Sequence, residues 1–128
     1  MTEAFRYDSI IEDHRTGHTG VLFYFNMKRI EVIYDDDVVR FIATLDTRTK
    51  VKVVRVIDLL EKYGHTLRMP YSKPVASGLF ELRTTGNIQA RILFGYREER
   101  AVLLHAFIKK TNAIARTDIE KALRKFNT

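Results

Sequence analysis

The stretch LFELRTTGNIQARILF, residues 79–94, decides the fold of this chain. Apolar and polar residues alternate on both sides of its centre, which is the period of a half-buried β-strand. Residues 85–87, Thr-Gly-Asn, separate the two runs. Gly and Asn tolerate positive φ, so this segment predicts a tight turn between two antiparallel strands.

The register of the predicted hairpin follows from its apolar side chains. Both apolar sets face the core only if Thr84 lies opposite Ile88, because side chains alternate strictly along a strand. The outer face then carries two predicted cross-strand pairs, Glu81 with Arg91 and Arg83 with Gln89.

Before this hairpin, the sequence predicts one strand and two helices. Residues 29–34 alternate as a strand does. The three aspartates at 35–37 suit a helix N-terminus, where acids cap free N–H groups and oppose the dipole, and an apolar stripe follows to Leu45. A second stripe covers residues 49–63, and Gly64 suits the end of that helix.

The remaining segments complete an α+β chain. Residues 65–78 contain both prolines and are predicted as a polar connection. Residues 102–108 are apolar on both faces, which predicts a central strand covered twice, and a capping box at 117–120 predicts a final helix. We therefore expect a four-stranded, mostly antiparallel sheet with two N-terminal helices packed on it and a short C-terminal helix.

Composition limits the class of protein. A chain of 128 residues with 45% hydrophobic residues suits one domain. The absence of cysteine excludes a disulfide scaffold and thiolate metal sites, and it fits a reducing cytosol. The apolar run at residues 21–25 is too short to span a bilayer and could form an extra edge strand. We expect a cytoplasmic protein with no membrane partner.

The positive charge is concentrated in the second half of the chain. Residues 1–63 have 10 Lys and Arg against 11 Asp and Glu, whereas residues 64–128 have 12 against 5. This asymmetry indicates a polyanion or an acidic partner, although a basic face could also serve solubility alone.

No phosphate-binding loop, dinucleotide fingerprint, metalloprotease motif or nucleophile elbow is present. His14 and His18 have helical spacing, but the glycines around them argue against a metal site, and no cofactor is expected. The candidate site consists of cations on predicted strands and the loop before them, and such cations can hold several phosphates of one strand. They are Arg68, Lys73, Arg83, Arg91, Lys109 and Lys110.

Several separated motifs resemble the phage-derived HigB-like branch of the RelE/ParE toxin superfamily. They are LRMPYSKP at 67–74, GLFELR at 78–83, LLHAFIKKT at 103–111 and DIEKAL at 118–123. The resemblance covers about residues 27–126. It implies a RelE-like toxin domain at 27–128, preceded by an extension of unknown role at 1–26.

The resemblance implies a toxin of a type II toxin–antitoxin system that enters the ribosome and cleaves messenger RNA. A HigA-like helix-turn-helix antitoxin would block it and bind operator DNA. RNA cleaves when its own 2′-OH attacks the neighbouring phosphorus, so a catalyst must align the strand, stabilise negative charge and move two protons. Arg suits the first two tasks, and no metal is required.

The same resemblance implies roles for individual cations. Arg83 matches the family's arginine on the strand after the loop and would clamp a phosphate. Arg91 would do the same, although Glu81 could simply pair with it. Lys73 would act as general base or as a leading clamp, or it could be an ordinary turn lysine before Pro74.

The other candidates are less central. Lys110 sits where related toxins have a basic residue, Lys109 would contact the RNA backbone, and Arg68 would be structural or peripheral. His105 has the residue type of an acid–base catalyst, yet a histidine within an apolar strand is more often a core residue with one satisfied nitrogen.

The chain departs from the patterns of known family members, and two rival functions remain open. Some relatives stack a C-terminal tyrosine on a base, and none follows Tyr96 here. Others use a Glu–Arg–His set, for which Glu81, Arg91 and His105 are the residue types. The rivals are a ParE-like gyrase poison and a non-catalytic partner that binds only antitoxin and operator DNA.

Overall fold

The structure is a computed structural model, and it describes residues 29–128. The elements in chain order are β1 Glu31–Tyr34, α1 Asp36–Thr44, α2 Thr47–Tyr63, a 3-10 turn Gly64–Thr66, β2 Ser72–Ala76, β3 Leu79–Arg83, β4 Ala90–Arg97, β5 Arg100–Ile108 and α3 Arg116–Phe126. The chain is thus α+β, as the sequence predicts.

The sheet has five strands in the order β1-β5-β4-β3-β2. The strands from β2 to β5 pair antiparallel in sequence order, whereas β1 pairs parallel with β5. The prediction of four strands is therefore wrong by one strand, and the sheet is mixed.

The strand that sequence reasoning missed is β2, which lies within the predicted connection 65–78. Its Lys73 pairs with Glu81 of β3, and a register shift follows Pro74. Proline has no N–H for a ladder, so strands that contain one belong at a sheet edge, and β2 is an edge strand. Pro74 therefore indicates an edge strand, whereas Pro70 lies in the turn before β2.

The predicted register of β3 and β4 is wrong by two residues. Arg83 lies opposite Arg91, and the backbone and side chain of Thr84 both bond to the backbone of Ala90, at 3.1 and 2.9 Å. These bonds pair Thr84 with Ala90, so residues 85–89 form a longer loop in place of the tight turn, and Ile88 in that loop is 45% exposed. A shift of two keeps every side chain on its predicted face.

Helices cover both faces of the sheet. On one face α1 and α2 bury the main core, which includes Val38, Val53, Leu60, Leu82, Ile92, Phe94 and Leu103. On the other face α3 packs over a smaller core that includes Leu79, Leu93, Leu104 and Ala122. Strand β5 contributes to both cores, which confirms the prediction of a strand covered twice.

The sequence gives three signals for helix ends, and the structure confirms two of them. The Asp35 carboxylate accepts from the Asp37 amide at 2.9 Å and caps α1, and Gly64 ends α2 with a φ of +54°. The predicted capping box at 117–120 is wrong, because α3 begins at Arg116 after Ala115 without a side-chain cap. The carboxylate of Asp118 bonds elsewhere.

An ion cluster joins α3 to the start of α1. Lys125 Nζ donates to Asp35 Oδ2 at 2.8 Å, to Asp37 Oδ2 at 2.7 Å and to the Leu104 carbonyl at 3.0 Å. Burial would lower the pKa of Lys125, but the two carboxylates outweigh it and raise that pKa. The bonds from Lys125 and Arg40 hold the pKa of Asp37 below its ordinary value of 3.8.

We predict that Lys125→Met lowers the free energy of unfolding by roughly 2 kcal/mol at pH 7, since it removes charged hydrogen bonds to two acceptors and a carbonyl. Because the pKa of Asp37 is lowered on folding, its contribution is complete above its unfolded pKa and disappears as the pH falls through the folded one. Urea titrations between pH 3 and 7 should therefore show a smaller difference from wild type in acid. Lys121→Met, an exposed lysine on α3, is the control. A difference that is the same at pH 3 and 7 would refute the cluster.

Some sequence predictions lie outside the described residues. These are the possible edge strand at 21–25, the role of the extension at 1–26 and the pair His14 and His18. Within residues 29–128, no helix is long and apolar enough to cross a membrane.

Candidate functional site

The strand register places five charged or titratable side chains on one face of the sheet. In one row across the strands, Lys73 lies opposite Glu81, Glu81 opposite Leu93 and Leu93 opposite His105. In the next row, Arg83 lies opposite Arg91. Residues two apart on a strand share a face, so both rows point the same way, towards the layer that contains α3. We call Lys73, Glu81, Arg83, Arg91 and His105 the β-face site.

Glu81 lies between the two arginines. Its side chain is only 3% exposed, with Oε2 at 3.4 Å from Arg91 Nε and Oε1 at 3.6 Å from Arg83 Nε. A buried carboxylate is costly unless cations compensate it, so the three side chains fix one another. The predicted pairing of Glu81 with Arg91 is present, across a diagonal of the sheet.

Arg91 is held from several directions. Nη1 donates to the carbonyls of Thr84 and Ala90 at 2.9 and 3.0 Å, and Nη2 donates to Gln89 Oε1 at 3.0 Å. Burial lowers the pKa of Arg91, with Arg83 adding to the effect and Glu81 opposing it. This arrangement suits an arginine that shapes the β3–β4 loop and holds Glu81, and Arg91 itself is only 2% exposed.

Arg83 is the more accessible of the two arginines. Its side chain is 20% exposed, and Nη1 contacts the sulfur of Met69 at 3.0 Å, which is a weak acceptor. The Arg83 amide donates to the Tyr71 carbonyl at 2.9 Å, so its backbone is fixed by the end of the β2–β3 ladder. A fixed backbone with donors free of strong acceptors is what a phosphate clamp requires.

His105 forms a pair with an acid from another element. Its Nε2 lies 2.7 Å from Asp118 Oδ1 of α3, and the two side chains are 14% and 21% exposed. An ionised carboxylate can only accept, so in that state of Asp118 the ring donates from Nε2. The His105 ring also stacks on the Phe107 ring, with 5.7 Å between the ring centroids. This pair is compatible with both interpretations from the sequence, namely a core histidine with one hydrogen-bonded nitrogen and an acid–base catalyst.

The remaining predicted cations are spread more widely. The Lys73 side chain is exposed and makes no hydrogen bond or ion pair within residues 29–128. The Lys109 amide donates to the Gln89 carbonyl at 2.8 Å just after β5, and the exposed Lys110 follows it. Within residues 29–128, the Arg68 side chain donates only to the nearby His65 carbonyl, at 3.2 Å.

Sequence reasoning missed two features of this region. Asp118 was read as part of a capping box, whereas it is the partner of His105. Lys52 and Arg55 of α2, together with Tyr71, line a cavity that Arg83 also lines. The three-residue spacing of Lys52 and Arg55 indicates one helix face, but no sequence signal links that face to Tyr71.

The fold is a small α+β domain whose β-face site contains two arginines and a lysine. Residues 40–127 match the family described as "Phage derived protein Gp49-like (DUF891)", so the chain belongs to that family, which is of the RelE/HigB-like toxin type. A search of curated proteins finds no match. The resemblance is thereby confirmed at the level of this family, and the HigB-like branch stays a prediction.

Proposed function

We propose that this protein is the toxin of a type II toxin–antitoxin system and that it cleaves messenger RNA on the ribosome. One observation carries the proposal. In a chain of a RelE/HigB-like family, Lys73 and Arg83 stand on adjacent strands beside a buried carboxylate, on the face that also bears His105. Cations placed in this way can hold successive phosphates of one RNA strand.

The reaction that fits these groups is transesterification within the RNA. The 2′-oxygen forms a bond to the adjacent phosphorus, the bond from phosphorus to the 5′-oxygen breaks, and the products are a cyclic phosphate and a 5′-hydroxyl. Arg83 stabilises the charge that develops on the phosphoryl oxygens, and Glu81 with Arg91 holds Arg83 in place. The guanidinium groups supply the positive charge, so the step uses no metal ion.

The proposal assigns proton transfer to two groups. His105 takes the proton of the 2′-hydroxyl at Nδ1, because Asp118 holds Nε2 in the protonated form. Lys73, on the far side of Glu81 in the same row of the sheet, donates to the leaving 5′-oxygen or neutralises it. Lys109 and Lys110 would contact the RNA backbone beyond the site.

The proposed partner is a HigA-like helix-turn-helix antitoxin, which would bind operator DNA together with the toxin. The 12 cations against 5 acids in residues 64–128 suit an acidic segment that lies across the β-face site. Such a segment would block RNA by occupying the same cations.

Expression in a bacterial host tests the proposal against its rivals. We expect growth arrest with messenger RNA cut at discrete positions in primer extension, and unchanged plasmid supercoiling. Relaxed plasmid with intact transcripts would favour a gyrase poison. Binding to antitoxin and operator without arrest or cuts would favour a non-catalytic partner, and either result would refute the nuclease.

The pair of His105 and Asp118 gives a separate prediction. Asp118→Asn can no longer accept a charged hydrogen bond at Oδ1, so the imidazole loses its fixed tautomer and cleavage should fall by about 10²-fold. The pH–rate profile should change as well, which a purely structural pair would not cause. Asp46→Asn, which removes the charge of the α2 cap, is the control. A normal rate and profile in Asp118→Asn would assign His105 to the core.

A further inference from the structure

We propose that the cavity between α2 and residues 68–71 binds one nucleotide of the single-stranded RNA, with the base against Tyr71 and the phosphate at the cationic rim. This inference rests on the proposed function and adds a binding site to it. The cavity has a volume of about 350 Å³, which lies in the range of small-molecule sites.

Part of the cavity lining is apolar and aromatic. It consists of Pro70 and Tyr71 from the segment before β2 and of Val56 and Leu59 from α2. The Tyr71 side chain is 45% exposed, although its backbone is held, since its amide donates to the Arg68 carbonyl at 3.0 Å and its carbonyl accepts from Arg83. An exposed aromatic ring on a fixed backbone is the usual platform for an unpaired base.

The cavity lining also includes cations of α2. Lys52 and Arg55 lie one helical turn apart on α2, and no Asp or Glu of residues 29–128 lines the cavity. Lys52 Nζ uses one of its donors on the Thr85 carbonyl at 2.8 Å, and Arg55 makes no ion pair within the described part of the chain. Their remaining donors are available for a phosphate.

Arg83 connects the cavity to the β-face site. It approaches Glu81 on the sheet face and also lines the cavity. Arg83 lies at the end of β3, where the sheet face meets the cavity on the α2 side. In this proposal a strand whose reacting phosphate is at Arg83 has its neighbouring nucleotide beside Tyr71. Because stacking accepts every base while pocket shape does not, this site would also set which nucleotide flanks the cut.

The test measures binding of the full chain to the four ribonucleoside monophosphates and to a short single-stranded RNA. This RNA has a 2′-deoxy nucleotide before each bond that could be cleaved, so it stays intact during the measurement. Tyr71→Ala should weaken RNA binding by about tenfold or more, as expected for one lost stacking contact. Arg55→Gln should weaken it less and reduce its salt dependence. Tyr63→Ala is the matched control, because Tyr63 is 47% exposed at the end of α2 and does not line the cavity.

The outcomes separate this inference from the proposed function. If Tyr71→Ala and Tyr63→Ala bind RNA like wild type, the cavity is not a nucleotide site, even where the wild type cleaves RNA. If the binding of monophosphates requires Tyr71 but the binding of RNA does not, the cavity binds a free nucleotide and the inference is wrong. RNA binding that needs Tyr71 in a protein that never cleaves would support the cavity and refute the nuclease.

Discussion

Arg83→Ala should reduce messenger RNA cleavage by about 10²- to 10³-fold, which is the usual cost of removing one donor to a developing oxyanion. Arg83 is the β-face arginine with an accessible guanidinium and no strong acceptor for its Nη groups. Because Arg91 still pairs with Glu81 after this change, the loss of Arg83 should cost less stability than the loss of Glu81. Primer extension and thermal melting of the same preparation measure both effects.

Two further variants sharpen this result. Arg83→Lys keeps the charge but loses the planar fork, so its rate should lie between those of Arg83→Ala and wild type. Arg116→Ala removes an exposed arginine at the start of α3 and should cleave like wild type. Full toxicity of Arg83→Ala, with antitoxin binding intact, would show that the phosphate clamp is elsewhere.

Glu81→Ala should have the largest effect on stability, a loss of about 3 kcal/mol or more in the free energy of unfolding. The substitution leaves the charge of Arg91 in a side chain that is only 3% exposed, without its carboxylate. Arginine does not deprotonate under these conditions, so the unpaired charge persists in the folded state. Urea denaturation at pH 7 measures the loss, with the exposed Glu120→Ala as control.

A double-mutant cycle separates the unpaired charge from lost packing. The cycle uses Glu81→Met, Arg91→Met and the variant with both changes. The double variant has lost both charges, so it should be more stable than the sum of the two single losses implies. Additive losses would mean that the two side chains act independently. A Glu81→Ala protein within about 0.5 kcal/mol of wild type would refute the role of this carboxylate in the fold.

Sequence periodicity predicted the faces of the sheet but not its register. Alternation in residues 79–94 placed Glu81, Arg83 and Arg91 on one face, and this holds because a shift of two residues preserves the faces. The bonds between Thr84 and Ala90 that set the actual register involve a side-chain hydroxyl, and apolar patterning does not detect such a bond.

The parts of the site that sequence reasoning missed depend on tertiary contacts. Lys73 was assigned to a loop because Pro74 follows it, yet an edge strand accepts proline. Asp118 reaches His105 only because α3 folds back onto β5, and its local sequence context suggested a helix cap. The juxtaposition of Tyr71 with α2 likewise arises from packing and not from any spacing along the chain.

The central claim is that the β-face site cleaves RNA by attack of the 2′-oxygen, and one measurement tests it most directly. Purified protein is added to ribosomes that are stalled on a defined messenger RNA, and the ends of the fragments are analysed. We predict cuts in the ribosome-bound RNA that leave a 2′,3′-cyclic phosphate, and no cut where a 2′-deoxy nucleotide precedes the site. RNA that remains whole, or that is cut equally at the 2′-deoxy position, would contradict the claim.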